Sequence, residues 1–483
     1  KYYGEFRDSV LRGETRVCEN ISLQMNRIDN DIANPEYFYD PNAIDGYVRF
    51  CESELTLTDG TDLTLLPTFK MWAEDLLSWY YYSEEDTIDP ATGRRITVRK
   101  KRRLRNKQYL IIARGNSKSL YETTIQAYGL LTDTKTTQQI TTAPTMAQAE
   151  EVMMPFSTAI AKSRGPLFSV LTDGSNKSRS QYTQAKLAST KKGIENKITN
   201  SYVEIRPMRI DKLQGSRAKY ATVDEWLSGD VKEDVIGALE QSAAKGGVDD
   251  YIILAVSSEG TVRDSVGDSI KMELLKILRG EYEDPHTSIW YYRLDDLNEV
   301  NDPSAWIKAS PNIGVTVSYD AYMRDVKRAE ANPATRNDIL AKRFGIPVEG
   351  YTYFFTYDEI QKHAYQNYDK LPCSMGMDAS QGDDFWAFTW VFPLGGERFG
   401  VKTRSYVSET KYQKLPSATR FKYDELQQEG TLVIMPGTVL DWVAVYEDVR
   451  DYIHSHDWAI LSFGFDPYNA GAFVDRWCME NGE

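Results

Sequence analysis

Tyr109-Leu-Ile-Ile-Ala-Arg-Gly-Asn-Ser-Lys-Ser-Leu120 is the stretch that decides the fold. An apolar run of strand length passes into a turn of small residues, then Lys118-Ser119, then a stretch with helical spacing over 118–131. Strand, tight turn and helix in that order bring backbone amides to a helix N-terminus, where a phosphate is stabilised. Lys118 then suits the β- and γ-oxygens of ATP, and the Ser119 hydroxyl suits Mg2+. Arg114, Gly115, Asn116 and Ser117 make the turn itself. The strict phosphate-loop pattern wants glycine where Ile112 and Ser117 stand, so this loop is a deviant version. Ser117 is still small enough for backbone to approach a phosphate, and Ile112 extends the strand.

Outward from that loop, short apolar runs alternate with helical stretches. The runs 109–113, 168–171, 220–223 and 251–256 are expected to be buried strands, with helices near 118–131, 145–162, 231–244 and 264–279. This alternation predicts an α/β fold, a P-loop NTPase parallel sheet. Polar helical stretches over 320–331 and 334–343 predict a helical lid or linker subdomain. A second alternation begins after Leu371. Three successive strands (374–377, 385–392, 398–406) precede helices near 418–429 and 442–456, a strand over 460–465 and a helix from about 469. That order predicts a ribonuclease H-like α/β domain. The expected division is an N-terminal helical segment over 1–62 and a P-loop domain over 63–350, with its linker subdomain at 318–350. A nuclease-type domain is expected over 371–483.

Lys219-Tyr-Ala-Thr-Val-Asp-Glu225 ends an apolar run in two acids. Beside a phosphate loop, Asp224 suits the metal and Glu225 suits the general base that aligns water. Without that loop, an acidic helix start would be the better reading. Val256-Ser-Ser-Glu-Gly260 ends another run, and hydroxyls of Ser257 and Ser258 at that strand tip could sense the γ-phosphate. Gly376-Met-Asp-Ala-Ser380 and Phe463-Gly-Phe-Asp-Pro467 place Asp378 and Asp466 at the ends of apolar strands. Charge there is costly to desolvate unless paired or metal-bound, so the two acids are candidate ligands for Mg2+ or Mn2+. Asp383 and Asp384 suit a turn, with Asp384 near the metal. His454 and His456 have no cysteine beside them, which argues against a metal site.

The 483 residues predict more than one domain, and the net charge of −14 argues against a simple nucleic-acid binder. Charge is unevenly spread, however. Nine of the fourteen residues from Arg94 to Lys107 are basic, and residues 161–219 hold thirteen basic against four acidic. Such local excess could hold DNA phosphates. No apolar run reaches membrane-spanning length, and four scattered cysteines suggest a reducing compartment.

Taken together, the motifs resemble those of the large terminase subunit of tailed bacteriophages. They are Leu65-Leu-Pro67, Ile111-Ile-Ala-Arg-Gly-Asn-Ser-Lys-Ser119, Ala143-Pro-Thr-Met-Ala-Gln-Ala149, Leu213-Gln-Gly215 and Val223-Asp-Glu225. Trp306-Ile-Lys-Ala-Ser-Pro-Asn-Ile-Gly314, Gly376-Met-Asp-Ala-Ser380 and Phe465-Asp-Pro-Tyr-Asn-Ala470 continue the series in the same order. The resemblance implies an ATPase that translocates double-stranded DNA into a procapsid, and a metal-dependent nuclease that cuts concatemers. It implies ATP and magnesium on Lys118 and Ser119, Glu225 as catalytic base and Arg114 as an arginine on the phosphates. It further implies Ser257 and Ser258 as the coupling motif, and Asp378 and Asp466 as nuclease metal ligands. The implied partners are the portal, the small terminase subunit and further copies of the chain in a ring on the portal, in the host cytoplasm. The chain is not expected in the mature virion. Phe69 stands near the place of the family's adenine-contacting glutamine. The family's third nuclease carboxylate is expected beyond Glu483, which would leave the nuclease domain incomplete at its C-terminus. The rival readings are a P-loop helicase or repair nuclease, and a non-catalytic ATP-gated protein that docks on a portal.

Overall fold

Neighbouring side chains of the strand before the phosphate loop enter two different cores, which is why that strand is apolar without alternation. Leu110 packs with Leu254, Val256 and Tyr220 on one side, while Tyr109 and Ile111 pack with Ile253, Val223 and Ile289 on the other. The computed structural model describes residues 1–483 except 164, 173–186, 191–192, 246, 262–264, 348–366, 380–384, 397, 416, 468 and 483. Two units result, Lys1–Tyr353 and Phe354–Glu483.

The first unit has strands β1 (Phe38–Tyr39), β2 (Trp79–Ile88), β3 (Arg95–Arg103), β4 (Lys107–Ile111), β5 (Gln138–Thr142) and β6 (Leu187–Thr190). They are followed by β7 (Gly193–Asn196), β8 (Ser201–Ile205), β9 (Ala218–Asp224), β10 (Ile252–Ser257) and β11 (Thr287–Tyr291). Its helices are α1 (Tyr2–Leu11), α2 (Glu19–Ala33), α3 (Pro41–Glu54), α4 (Pro67–Leu77), α5 (Lys118–Thr132) and α6 (Met146–Lys162). After them come α7 (Pro166–Thr172), α8 (Ile210–Leu213), α9 (Val235–Lys245), α10 (Val266–Leu278), α11 (Tyr319–Ala331) and α12 (Pro333–Phe344).

Among the described residues, an eight-stranded sheet runs β11–β4–β10–β9–β5–β8–β7–β6. It is parallel from β11 to β8 and antiparallel across β8, β7 and β6. Helices α3, α4 and α5 cover one face, and α9 and α10 cover the other. A separate apolar cluster, from Leu294 and Trp306 to Tyr322, Leu340 and Phe344, forms the core of the helical subdomain.

Several elements differ from the sequence expectation. Residues 168–171 belong to helix α7, not to a strand. Pro166 starts that helix, and Phe168 and Leu171, three apart, are both buried. Strand β5 is Gln-Gln-Ile-Thr-Thr, whose polar side chains are buried by bonding partners such as Gln126, which donates to Ile140 O and Thr141 Oγ1. The basic run is partly exposed and partly paired with acids. It lies in and after β3, whose antiparallel partner β2 is acidic. Arg95 pairs with Asp86, Lys101 with Asp40, and Lys100 and Arg102 with Glu85 and Asp249. Arg105 is buried against Asp31 and Asp75, and Lys107 reaches Glu240 and Asp284.

The second unit has strands β12 (Pro372–Ala379), β13 (Trp386–Gly395), β14 (Arg398–Ser408), β15 (Leu432–Met435) and β16 (Ala459–Phe465), ordered β15–β14–β13–β12–β16. The first three are antiparallel neighbours; β16 returns parallel to β12, the ribonuclease H-like arrangement. Helices Trp442–Ser455 and Gly471–Asn481 close the core of this sheet through Val445, Tyr446, Val449, Phe473 and Trp477. The residues 380–384, and with them Asp383 and Asp384, lie outside the described residues.

Candidate active site

The first site lies at the C-terminal ends of β4, β9 and β10, where ligands of open parallel sheets bind. The chain leaves β4 and turns into α5 with Gly115 at φ +94° and Ser117 at φ 58°. Ser117 thus adopts the left-handed backbone that the strict loop gives to glycine, a conformation costing about 1–2 kcal/mol for other residues. No side chain caps α5, so its first-turn N–H groups remain for an anion.

The helical subdomain grips the same loop. Ala113 N donates to Ala309 O at 3.3 Å, and Arg114 N donates to Lys342 O at 2.9 Å. Thr316 Oγ1 donates to Gly115 O at 2.6 Å, and Arg343 Nη1 donates to Arg114 O at 2.9 Å. Buried Asn116 donates to Ala113 O and Ser310 Oγ, and accepts from Asn312 N at 3.0 Å. The Arg114 side chain is exposed.

Strand β9 ends at Asp224, and Glu225 follows with φ 51°, its N–H donating to Val256 O at 2.8 Å. Lys118 Nζ donates to Glu225 Oε1 at 2.9 Å and to Ser258 Oγ at 2.5 Å. Ser257 Oγ and Ser258 N donate to Glu225 Oε2 at 3.3 and 3.4 Å. Lys118, Glu225, Ser257 and Ser258 therefore form one network spanning the loop helix and two strand ends. Phe69 is fully buried against Trp72 and Tyr121 in the core.

The second site rests on strand register. Met377 pairs with Phe465, so Asp378 and Asp466 are the next residues along neighbouring strands. Both are exposed, while Met375, Met377 and Ala379 turn into the core. Ser374 and Ser462, paired further down the same two strands, bond through their hydroxyls at 2.8 Å. The desolvation argument made from the sequence does not hold here, because the pleat puts Asp378 on the face away from the core.

Two family models match this chain. One, described as terminase large subunit, ATPase domain, matches residues 93–271. The other, terminase large subunit, endonuclease domain, matches residues 282–481. The chain belongs to the terminase large-subunit family. The terminase large subunit of Lactococcus phage p2 is 22% identical over 441 residues, covering 89% of this chain and 75% of that protein. The corresponding subunit of Lactococcus phage SK1 is 22% identical over 439 residues with the same coverage. Among solved structures, the large terminase of bacteriophage HK97 matches with a TM-score of 0.48 at 16% identity, covering 89% of this chain and 81% of that one. As a terminase large subunit, the chain is a hydrolase that joins an ATPase to an endonuclease, the pairing found in a DNA-packaging motor. Nucleotide, divalent metal and DNA are its general ligands. Among the described residues, no helix is long and apolar enough to cross a membrane.

Electrostatics separates the two acids at the end of β9. Burial pushes the Asp224 carboxyl up to about 6; Lys118 opposes this and Glu225 adds to it. Glu225 is also penalised by burial, but Lys118, Lys342 and the Ser258 amide outweigh that and hold it down at about 2. Hard oxygen donors at Ser119 and Asp224, with Asp224 Oδ1 lacking any hydrogen-bond partner in the protein, fit a magnesium ion. Among the described residues no three His, Cys, Asp or Glu side chains gather closely enough to share an ion directly, in either unit.

Sequence reading missed two groups of the first site. Lys342, from α12, has its proton affinity lowered by burial, with Glu225 raising it and Arg114 and Lys118 lowering it further. Nothing local in the sequence ties it to a loop more than two hundred residues away. Glu122 is fully buried on α5, where burial pushes its carboxyl well above the ordinary range, Asp224 and Glu225 add to this and Lys118 opposes it. Its spacing of three from Ser119 was a legible signal, since such residues share a helix face.

Proposed function

We propose that the chain packages double-stranded DNA into a procapsid, with ATP hydrolysed at Lys118 and Glu225 and concatemers cut at Asp378 and Asp466. Lys118, Ser119 and the amides of Gly115 to Ser117 bind the triphosphate, Asp224 and Ser119 hold Mg2+, and Arg114 reaches the phosphates from the exposed side of the loop. Glu225 aligns the attacking water and accepts its proton. The observation that carries this reading is the hydrogen bonding of Lys118 to both Glu225 and Ser258. It joins the phosphate-binding, hydrolytic and coupling groups within bonding distance.

Lys118 holds the Glu225 carboxylate at 2.9 Å. A γ-phosphate competes for that ammonium and frees Glu225 for water. Ser257 and Ser258 bond the same carboxylate, so a change at Glu225 reaches β10. The bonds from Ala113 to Asn116 carry a shift of the loop to residues 309–316 and to α12. Such direct coupling supports a motor that moves the helical subdomain with each turnover. Mg2+ held by Ser119 and Asp224 at the first site would neutralise phosphate charge, and Mg2+ or Mn2+ held by Asp378 and Asp466 at the second would activate water for phosphodiester cleavage. The partners proposed for this work are the portal, the small terminase subunit and further copies of the chain in a ring, in the host cytoplasm during assembly.

The test is Glu225→Gln. Loss of the general base is expected to slow ATP hydrolysis by about 10²- to 10⁴-fold while ATP binding persists. Turnover unchanged from the parent would contradict the assignment.

A further inference from the structure

Glu122 has no use in the hydrolytic scheme, yet its position is costly. Its relative exposure is 0%, and neither carboxylate oxygen has a hydrogen-bond partner in the protein. Buried carboxyl groups are ordinarily bonded or paired.

Helix geometry says where Glu122 faces. Gln126, one turn further along α5, donates to Ile140 O and Thr141 Oγ1 on β5. Thr141 pairs with Thr222 on β9. Helix α5 runs back against the strand direction, so Glu122, about 6 Å nearer the phosphate loop, faces the last residues of β9. Those residues are Thr222 and Asp224, which share a sheet face. Thr222 Oγ1 and Asp224 Oδ1 also lack partners in the protein. Three polar groups on two facing surfaces are thus unsatisfied, one helical turn from Ser119. Magnesium sheds water reluctantly and keeps several waters when bound. Those waters need acceptors, and hydroxyl and carboxylate oxygens facing one another supply them.

We propose that Glu122 is an outer-sphere positioning residue of the ATPase metal site: its carboxyl group would accept hydrogen bonds from the ion's water beside Asp224. The inference rests on the ATPase-site reading above and deepens it. It explains why an acid stands on the buried side of the helix that follows Lys118-Ser119, where an apolar residue would satisfy packing alone. Direct ligation is not required, in keeping with the absence of a three-ligand cluster among the described residues.

The experiment measures retention of a fluorescent ATP analogue by the full chain as magnesium is raised, with a parallel arm in excess EDTA. Parent, Glu122→Gln and Glu122→Asp are compared, and Mn2+ binding in the presence of ADP is followed by electron paramagnetic resonance. Loss of an outer-sphere partner is expected to raise the magnesium needed for half-maximal retention about tenfold in Glu122→Gln, with EDTA-arm affinity within about twofold of the parent. Mn2+ binding should weaken in parallel, and Glu122→Asp, which keeps the carboxyl group, should shift less. An unchanged magnesium requirement in Glu122→Gln would overturn the proposal. So would an equal loss of affinity in EDTA, which marks a packing role alone. If the parent itself shows no magnesium dependence, the ATPase-site reading fails first and this inference falls with it.

Discussion

At the end of β9, the acids proposed for ATP hydrolysis are a buried Asp224 and a half-buried, bonded Glu225; at the ends of β12 and β16, those proposed for DNA cleavage are exposed and follow a register pair. Glu225 is fixed by a lysine, two serines and its own strained backbone, so its geometry exists before any ligand arrives. Asp378 and Asp466 owe their proximity to the pairing of Met377 with Phe465 and to the tie from Asn469 Nδ2 to Ala379 O at 3.5 Å. The first arrangement couples chemistry to folding and to the helical subdomain. The second leaves two exposed acids, where a cation, on the proposed nuclease reading, would bind with little desolvation cost to the protein.

That contrast can be broken in three places. The largest effect is expected from Asp378→Asn, which should lower metal-dependent DNA cleavage by about two orders of magnitude or more. Being exposed, it should shift unfolding by no more than about 0.5 kcal/mol. A large loss of stability in that variant would mean that the acid is structural. Next is pH. Asp224 takes up its proton at about 6 and Glu225 at about 2. The kcat/KM for ATP should therefore fall about tenfold per pH unit below about pH 6, with no limb from Glu225 until far lower. Stability runs the other way for Asp224. Its raised value favours folding in the protonated form, a contribution present below its ordinary range and lost as pH rises through about 6. Glu225, held at about 2, stabilises above its ordinary range and loses this as pH falls. A flat rate profile from pH 5 to 8 would break the distinction between the two acids. The smallest effect is expected from Ser117→Gly, which relieves a left-handed backbone and should stabilise the first unit by about 1 kcal/mol in denaturant unfolding. Destabilisation would show that Ser117 contributes bonds that outweigh its strain.

The two sites also differ in how they can be read from sequence. Val223-Asp-Glu225 and the run into Lys118 announce themselves because buried parallel strands are contiguous apolar segments ending where ligands bind. Strand β5 hides because Gln139, Thr141 and Thr142 are buried polar side chains whose surroundings come from other elements. Strand β11 escapes a local reading because it joins β4 only in space. Charge counting along Arg94 to Lys107 could not see the acids that pair with part of the run, because they sit across the β2–β3 hairpin and beyond it. Lys342 and the grip of residues 309–316 on the loop depend on contacts at separations no local pattern encodes. Asp378 and Asp466 were legible as strand ends, but for a reason that fails; their exposure shows that register, not desolvation, brings them together.

The most direct test measures two activities on each of two variants. ATP hydrolysis and metal-dependent DNA cleavage are assayed on the same preparations of Glu225→Gln and Asp378→Asn, beside the parent. Two independent hydrolytic sites predict that Glu225→Gln loses ATP hydrolysis and keeps cleavage, while Asp378→Asn loses cleavage and keeps ATP hydrolysis. Retained ATP hydrolysis in Glu225→Gln, or retained cleavage in Asp378→Asn, would contradict the account.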